Sequence, residues 1–318
     1  MVQPYDMPLD ELRIYRPLLT RQADFAEFWI MTKAYMDQEP YEIEIRPVYY
    51  PVEGVRVYDL SYRGYNGARI RCWYAVPDRP GPHPGIVMHH KYNFYDFTGD
   101  IHDVVNMALH GYCVLGMYVR AQVRSEDNSI SPSGHAQGWM SQGILHKETY
   151  YYRGVYMDAV RAVEILAGRK EVDASRIGVV GGSQGAALGL VSAALTNIPK
   201  VVVAEYPYLS DFPRAINMAQ TGYYLELNEY LRHDPYAEEP SMNTLTYYDV
   251  MNFAPWVKCP VLMSIGLIDT ITPPSTVFAV YNHLQTEKEI CVYRFFGHEY
   301  IPDFVTKELQ FLRQNLLL

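Results

Sequence analysis

Ser183 stands in Gly181-Gly182-Ser183-Gln184-Gly185, a Gly-x-Ser-x-Gly pentapeptide. The apolar, β-branched run 177–180 before it reads as a buried strand. The Ala/Leu-rich stretch after Gln184 (Ala186, Ala187, Leu188, Leu190, Ala193, Ala194) reads as a helix. A strand that turns sharply into a helix through a serine lifts the hydroxyl to the carboxyl edge of a sheet, where it can act as a nucleophile. Glycines at 181 and 185 suit the crowding of strand, serine and helix backbones, and the helix N-terminus offers unpaired N–H groups to developing negative charge. A tight βα turn with no chemistry could carry the same pentapeptide. The strand before and the helix after favour the catalytic reading.

A serine hydroxyl is a weak nucleophile at neutral pH unless an oriented base, usually histidine, takes its proton. After such an elbow the acid and then the base follow in the chain, on loops beyond later strands. Asp269 lies just past the apolar run 260–266, and His298 just past the run 289–296. Both positions fall beyond the carboxyl ends of their strands, where an open α/β sheet builds its sites. Of the ten histidines only His283 and His298 follow Asp269, and His283 falls inside a helical pattern. The backbone N–H of Gln184, directly after the serine, is one natural oxyanion donor. The second belongs on the loop His90-Lys91-Tyr92-Asn93. No metal site is expected: the adjacent His89 and His90 would point to opposite faces of a strand, and no carboxylate stands at ligand spacing.

The elements that must position these groups alternate. Residues 1–40 read as an N-terminal extension, with helical spacing of Phe25, Phe28, Trp29, Thr32 and Met36 over 24–36. Strand patterns at 41–45, 55–60 and 68–76, the last two joined through Gly64-Tyr65-Asn66-Gly67, predict an antiparallel start. A proline-rich loop over 77–84 leads to a strand at 85–90. Helix, strand, long polar loop and helix follow at 101–109, 112–119, 121–148 and 153–167. Beyond the elbow come a strand at 201–204, an insertion near 206–253, and then strand, helix, strand and helix at 260–266, 275–284, 289–296 and 302–316. Buried strands alternating with helices predict a mostly parallel central sheet covered by helices on both faces, in one α/β domain spanning 1–318.

Composition removes several function classes. The net charge of −9 without a basic block argues against nucleic acid and anionic membranes. The first residues lack the basic and apolar regions of a signal peptide, and no 18-residue apolar run predicts a membrane span. Cys72, Cys113, Cys259 and Cys291 are scattered in apolar settings, which predicts buried free thiols and a reducing, cytoplasmic location.

With these residues assembled, the chain resembles the acetyl xylan esterase and cephalosporin C deacetylase family, carbohydrate esterase family seven. The resemblance runs from about residue 5 to the terminal helix. It is carried by Gly181-Gly182-Ser183-Gln184-Gly185, Gly266-Leu267-Ile268-Asp269, Thr272-Pro273-Pro274 and His298-Glu299, with Tyr150-Tyr151-Tyr152-Arg153-Gly154-Val155 and Tyr206-Pro207-Tyr208-Leu209 in support. It implies an α/β-hydrolase fold, a Ser183–His298–Asp269 triad, and an oxyanion hole from the N–H groups of Tyr92 and Gln184. It also implies no cofactor, a small acetylated carbohydrate such as a xylo-oligosaccharide ester as substrate, plausible action on cephalosporin C, and a homo-hexamer. Tyr92 and Tyr206 are the expected walls of the acyl pocket. The chain departs from the family's Arg-Gly-Gln at Arg120-Ala121-Gln122, where alanine adopts a left-handed conformation only at a cost. A general short-chain carboxylesterase and a serine aminopeptidase share the triad and remain as alternatives. A lipase would want a more apolar lid than 121–148, and a silent binding protein would not need all three triad members.

Overall fold

The computed structural model describes residues 5–97 and 99–317, so the first four residues of the signal-peptide expectation lie outside it. Its strands are β1 (Glu44–Val48), β2 (Val55–Arg63), β3 (Arg69–Pro77), β4 (His83–His89), β5 (Cys113–Met117), β6 (Val172–Gly182), β7 (Val201–Glu205), β8 (Val261–Gly266) and β9 (Lys288–Tyr293). They form one sheet in the order β1-β2-β3-β5-β4-β6-β7-β8-β9. The first three strands are an antiparallel meander, and β3 also runs antiparallel to β5. Every later pairing is parallel. The parallel strands are apolar on both faces because helices cover both.

Those helices are α1 (Leu9–Ile14), α2 (Phe25–Asp37), α3 (Ile101–Leu109), α4 (Tyr151–Ala167), α5 (Gln184–Thr196), α6 (Phe212–Met218), α7 (Leu225–His233), α8 (Glu238–Leu245), α9 (Val250–Phe253), α10 (Pro274–His283) and α11 (Pro302–Leu316). One face of the sheet carries α4, α5 and α10, and the other carries α3 and α11. The helices α6 to α9 fill the chain between β7 and β8, where an insertion is expected. Residues 121–148 hold no helix or strand.

Three local expectations shift. The strand predicted at 41–45 begins instead at Glu44, and its residues 44–47 are exposed. The alternation there marks an edge strand whose register comes from pairing Ile45 with Leu60, and Pro47 is tolerated because an edge strand has an unpaired side. The strand predicted to reach Phe296 stops at Tyr293, since the carbonyl of Phe296 turns to accept the N–H of Ile268 at 3.1 Å. The strand before the elbow starts at Val172, earlier than the apolar run, because Val172 pairs with His83.

The N-terminal extension is tied into the body. Phe25, Phe28, Trp29, Thr32 and Met36 are buried, as their spacing predicts. Trp29 is fully buried against Tyr156 and Phe253, and its indole N–H donates to the carbonyl of Tyr247 at 3.0 Å. Burying a tryptophan side chain of roughly 200 Å² stabilises by about 5 kcal/mol at 25 cal/mol per Å². Ahead of α2, Asp6 accepts from the N–H of Ser275 at 2.8 Å, the Tyr15 hydroxyl donates to Asp211 at 2.8 Å, and Asn282 donates to the carbonyl of Tyr15 at 2.7 Å. The helix α4 is buried on the side away from the sheet as well, where α2 meets it through Trp29 on Tyr156 and Thr32 on Arg153.

Candidate active site

The elbow forms where β6 runs into α5. Ser183 has φ 55° and ψ −115°, a left-handed backbone that costs a non-glycine residue on the order of 1–3 kcal/mol. The surroundings enforce it. Ser183 N–H donates to the carbonyl of Glu205 at 2.9 Å, and its own carbonyl accepts from Tyr208 N–H at 3.0 Å. A Cβ at Gly181 would overlap the backbone of Gly185, and one at Gly185 would overlap the carbonyl of His89. Strand, turn and helix can approach this closely only with glycine at both places.

The loops after β8 and β9 knit together beside it. Leu267 N–H donates to the carbonyl of Tyr293 at 2.9 Å, and a Cβ at Gly266 would overlap the Phe296 carbonyl. This brings Asp269 and His298 into contact: His298 Nδ1 and Asp269 Oδ2 are 2.8 Å apart. Asp269 is fully buried and also accepts from Ile271 N–H at 2.9 Å, Thr272 N–H at 2.8 Å and the Thr272 hydroxyl at 2.7 Å. Four donors hold the carboxylate in one orientation. With Nδ1 committed to it, Nε2 is the ring nitrogen left to exchange protons. Tyr206 packs its ring on the imidazole, centroids 4.5 Å apart, and its hydroxyl donates to the carbonyl of Glu299 at 3.2 Å. The ring of this fully buried tyrosine lies between His298 and Lys91, whose Nζ is 5.3 Å from its centroid, and Tyr206 does not line the cleft described below.

The two expected oxyanion donors sit on segments joined by one side chain. Gln122 is fully buried and accepts from the N–H of Asn93, next to Tyr92, at 2.9 Å. Its amide donates to the side-chain oxygen of Gln184 at 3.1 Å and to the Tyr151 hydroxyl at 3.1 Å. The Tyr152 hydroxyl also donates to Gln184, at 3.1 Å, and Tyr151 donates to the carbonyl of Arg120 at 2.6 Å. Arg120 is anchored in turn by a buried two-point pair with Asp158 at 2.7 and 2.9 Å, in space that a Cβ at Gly154 would fill. On either side of Gln122, Ala121 has φ 60° and Val123 has φ 61°. The alanine in place of the family glycine does occupy the left-handed region.

Tyr92 is almost fully buried, and its hydroxyl donates to Glu226 at 2.7 Å while accepting from Trp139 N–H at 2.8 Å. Glu226 Oε2 also accepts from the N–H groups of Trp139 and Met140, each at 3.1 Å. This joins the β4 loop, the polar 121–148 segment and α7. A cleft of about 680 Å³ opens beside it, walled by Tyr92, Trp139, Tyr223 and Glu226 among others. Burial raises the Glu226 carboxyl above its ordinary range. It pushes the imidazole of His89 down to about 3 and that of His90 to about 4, so both rings are neutral. His90 bonds the carbonyl of Lys91 at 2.6 Å and accepts from Val119 N–H at 2.9 Å, which fixes the start of the Tyr92 loop.

A family model described as acetyl xylan esterase (AXE1) matches residues 2–316. The chain belongs to the acetyl xylan esterase family. The esterase is 38% identical to an acetyl xylan esterase from Paenibacillus sp. R4, with a TM-score of 0.93 over 98% of this chain and 100% of that one. It is 35% identical to acetyl xylan esterase 1 from Thermoanaerobacterium sp. JW/SL YS485, with a TM-score of 0.92 over 97% and 99% of the two chains. It is 27% identical over 293 residues to acetyl esterase Axe7A from Xylanibacter ruminicola, covering 87% of this chain and 63% of that longer relative. The fold is that of the α/β-hydrolases, as expected, and the esterase is a carboxylic ester hydrolase. Among the described residues no helix is long and apolar enough to cross a membrane, and all four cysteines are buried and unpaired. Sequence reasoning did not single out Gln122, Trp139 or Glu226 for the site. Gln122 could have been found through the family signature; the other two carry no local signal.

Proposed function

We propose that the chain is a serine esterase that removes acetyl groups from small acetylated sugars, including xylo-oligosaccharide esters, with cephalosporin C as a further substrate. His298 takes the proton of Ser183 through Nε2 as the hydroxyl oxygen attacks the acetyl carbonyl. The N–H groups of Tyr92 and Gln184 stabilise the tetrahedral oxyanion, a contribution of about 10²–10³ per donor in comparable sites. His298 returns the proton to the departing sugar oxygen and then activates water, which releases acetate from the acetyl-enzyme. Asp269 holds the imidazole in the required tautomer and stabilises its cation. The observation that carries this reading is the 2.8 Å pairing of His298 with the buried Asp269, because a glycine-rich turn without chemistry has no use for it. A homo-hexamer and a cytoplasmic location belong to the same proposal, on the family resemblance and the unpaired cysteines.

The test is kcat/KM along a 4-nitrophenyl ester series, with cephalosporin C and an aminoacyl amide as further arms. Each methylene that the acyl pocket resists should lower the rate by roughly 10–200-fold, so acetyl leads and octanoyl is negligible. A maximum at butyryl or longer would make this a general carboxylesterase, and comparable cleavage of the amide a peptidase. Ser183→Ala should lower kcat by on the order of 10⁶.

A further inference from the structure

We propose that the cleft between Trp139, Tyr223 and Glu226 is a subsite for a pyranose ring of the leaving alcohol. This rests on the sugar-ester reading above and adds where the sugar is held. The cleft of about 680 Å³ falls within the 300–1,000 Å³ of ordinary small-molecule sites and is far larger than an acetyl group needs. It shares Tyr92 with the loop that carries the expected oxyanion donor, so a group bound there adjoins that loop. Ser183 and Tyr206, both buried, are not among its walls, so the cleft lies to one side of the nucleophile.

Its chemistry matches a pyranose, which has apolar C–H faces and a rim of hydroxyls. Trp139 and Tyr223 are half-buried, with their rings braced against Tyr92 at centroid distances of 5.3 and 4.1 Å. They offer flat apolar surface already fixed in place, so little ordering is left to be done on binding. The polar groups stand beside them. Glu226 takes its three hydrogen bonds on Oε2, which leaves Oε1 as an acceptor for a hydroxyl. Asn93 and Glu229 extend the polar rim. The segment carrying Trp139 approaches Glu226 only because Gly138, at φ 92°, has no Cβ to strike the carboxylate.

Aromatic rings with acids nearby also suit a cation, but the acids here are partly committed. Burial holds Glu226 above its ordinary pKa, and Glu229 pairs with His233 at 2.9 Å. A neutral polyol is the better match.

The experiment compares kcat/KM for xylobiose monoacetate, acetylcholine and methyl acetate in the full chain. The readout is each ratio to methyl acetate, so any general disturbance of the oxyanion loop cancels. Trp139→Ala and Glu226→Gln should each lower the sugar ratio tenfold or more, with Trp139→Phe in between. A sugar ratio within twofold of wild type in both variants overturns the subsite, as does a fall confined to the acetylcholine ratio. If the wild type cleaves methyl acetate but not xylobiose monoacetate, the sugar-ester reading itself fails. Should a variant not fold, Ser183→Ala alone still decides. Titration with xylobiose monoacetate should give a saturable change in tryptophan fluorescence, and the absence of one refutes the subsite.

Discussion

Replacing Gln122 by leucine shortens the side chain by one bond and removes the hydrogen bonds that its amide makes to Asn93, Tyr151 and Gln184. Asn93 N–H loses its acceptor but is exposed enough to turn to water, and Tyr151 keeps its bond to Arg120. The Gln184 amide, fully buried, loses its acceptor, since Gln122 is its partner at 3.3 Å. An orphaned buried donor costs about 1–3 kcal/mol and each lost net bond about 1 kcal/mol, so Gln122→Leu should destabilise by about 2–4 kcal/mol. The catalytic effect follows from what Gln122 joins. Gln122 is the side chain that bonds the Tyr92 loop to the Gln184 turn directly, so its loss loosens the spacing between them. Loss of a whole oxyanion donor costs 10²–10³, so a displaced pair should lower kcat by about 10–100-fold. The KM should move less than threefold, because the oxyanion exists only in the transition state. Urea unfolding followed by circular dichroism measures the first number, and steady-state hydrolysis of 4-nitrophenyl acetate the second. An unchanged kcat in a destabilised but folded variant, or a change confined to KM, would refute the positioning role.

Ala121→Gly should raise stability by about 0.5–1 kcal/mol in urea titration, since relief of a left-handed alanine (about 1–2 kcal/mol) exceeds the entropic cost of glycine (about 0.5–1 kcal/mol). Tyr92→Phe should cost about 1–3 kcal/mol and lower kcat modestly, because the phenol is the donor that Glu226 accepts at 2.7 Å; an unfolding midpoint equal to wild type would contradict it. Burial, together with nearby Glu205 and Asp103, raises the Glu308 carboxyl to about 8. The neutral acid is thus the form the fold prefers. Its stability is fully present below about pH 4.5, the unfolded value, and is lost as pH rises through about 8. Glu308→Gln should gain thermal stability over wild type at pH 9 relative to pH 5, and a constant difference in Tm would refute this.

The parts of the site that chain-local patterns specify were readable. The elbow needs a strand, two glycines and a helix within a few residues, and Asp269 and His298 each follow an apolar strand directly. The helices at Ile101–Leu109 and Pro302–Leu316 end where their periodicity ends. What could not be read depends on segments far apart in sequence. Gln122 acquires a role only when three loops converge, and Glu226 looks like any exposed helical glutamate until α7 swings beside Tyr92. The polar composition of 121–148 predicted a functional loop but could not say that Trp139 would face a cleft. Strand β1 was placed three residues early for a related reason: alternation records which side chains face apart, not where pairing with β2 begins.

The N-terminal extension has a consequence for how the polypeptide is made. The aromatic side chains of α2 leave the ribosome well before the surfaces that bury them, around Tyr247, Phe253 and Trp256, which lie more than two hundred residues downstream. At about 5–20 residues per second, Phe25, Phe28 and Trp29 wait roughly 10–45 s for their partners. Asp6 waits longer still, since its acceptor role is completed by Ser275. During that interval an apolar helix is present without its binding surface, so the nascent chain should engage a holding chaperone such as one that clamps short aromatic segments. Ribosome-bound chains halted at residue 240 should be captured through α2, and chains extended past residue 290 should be released.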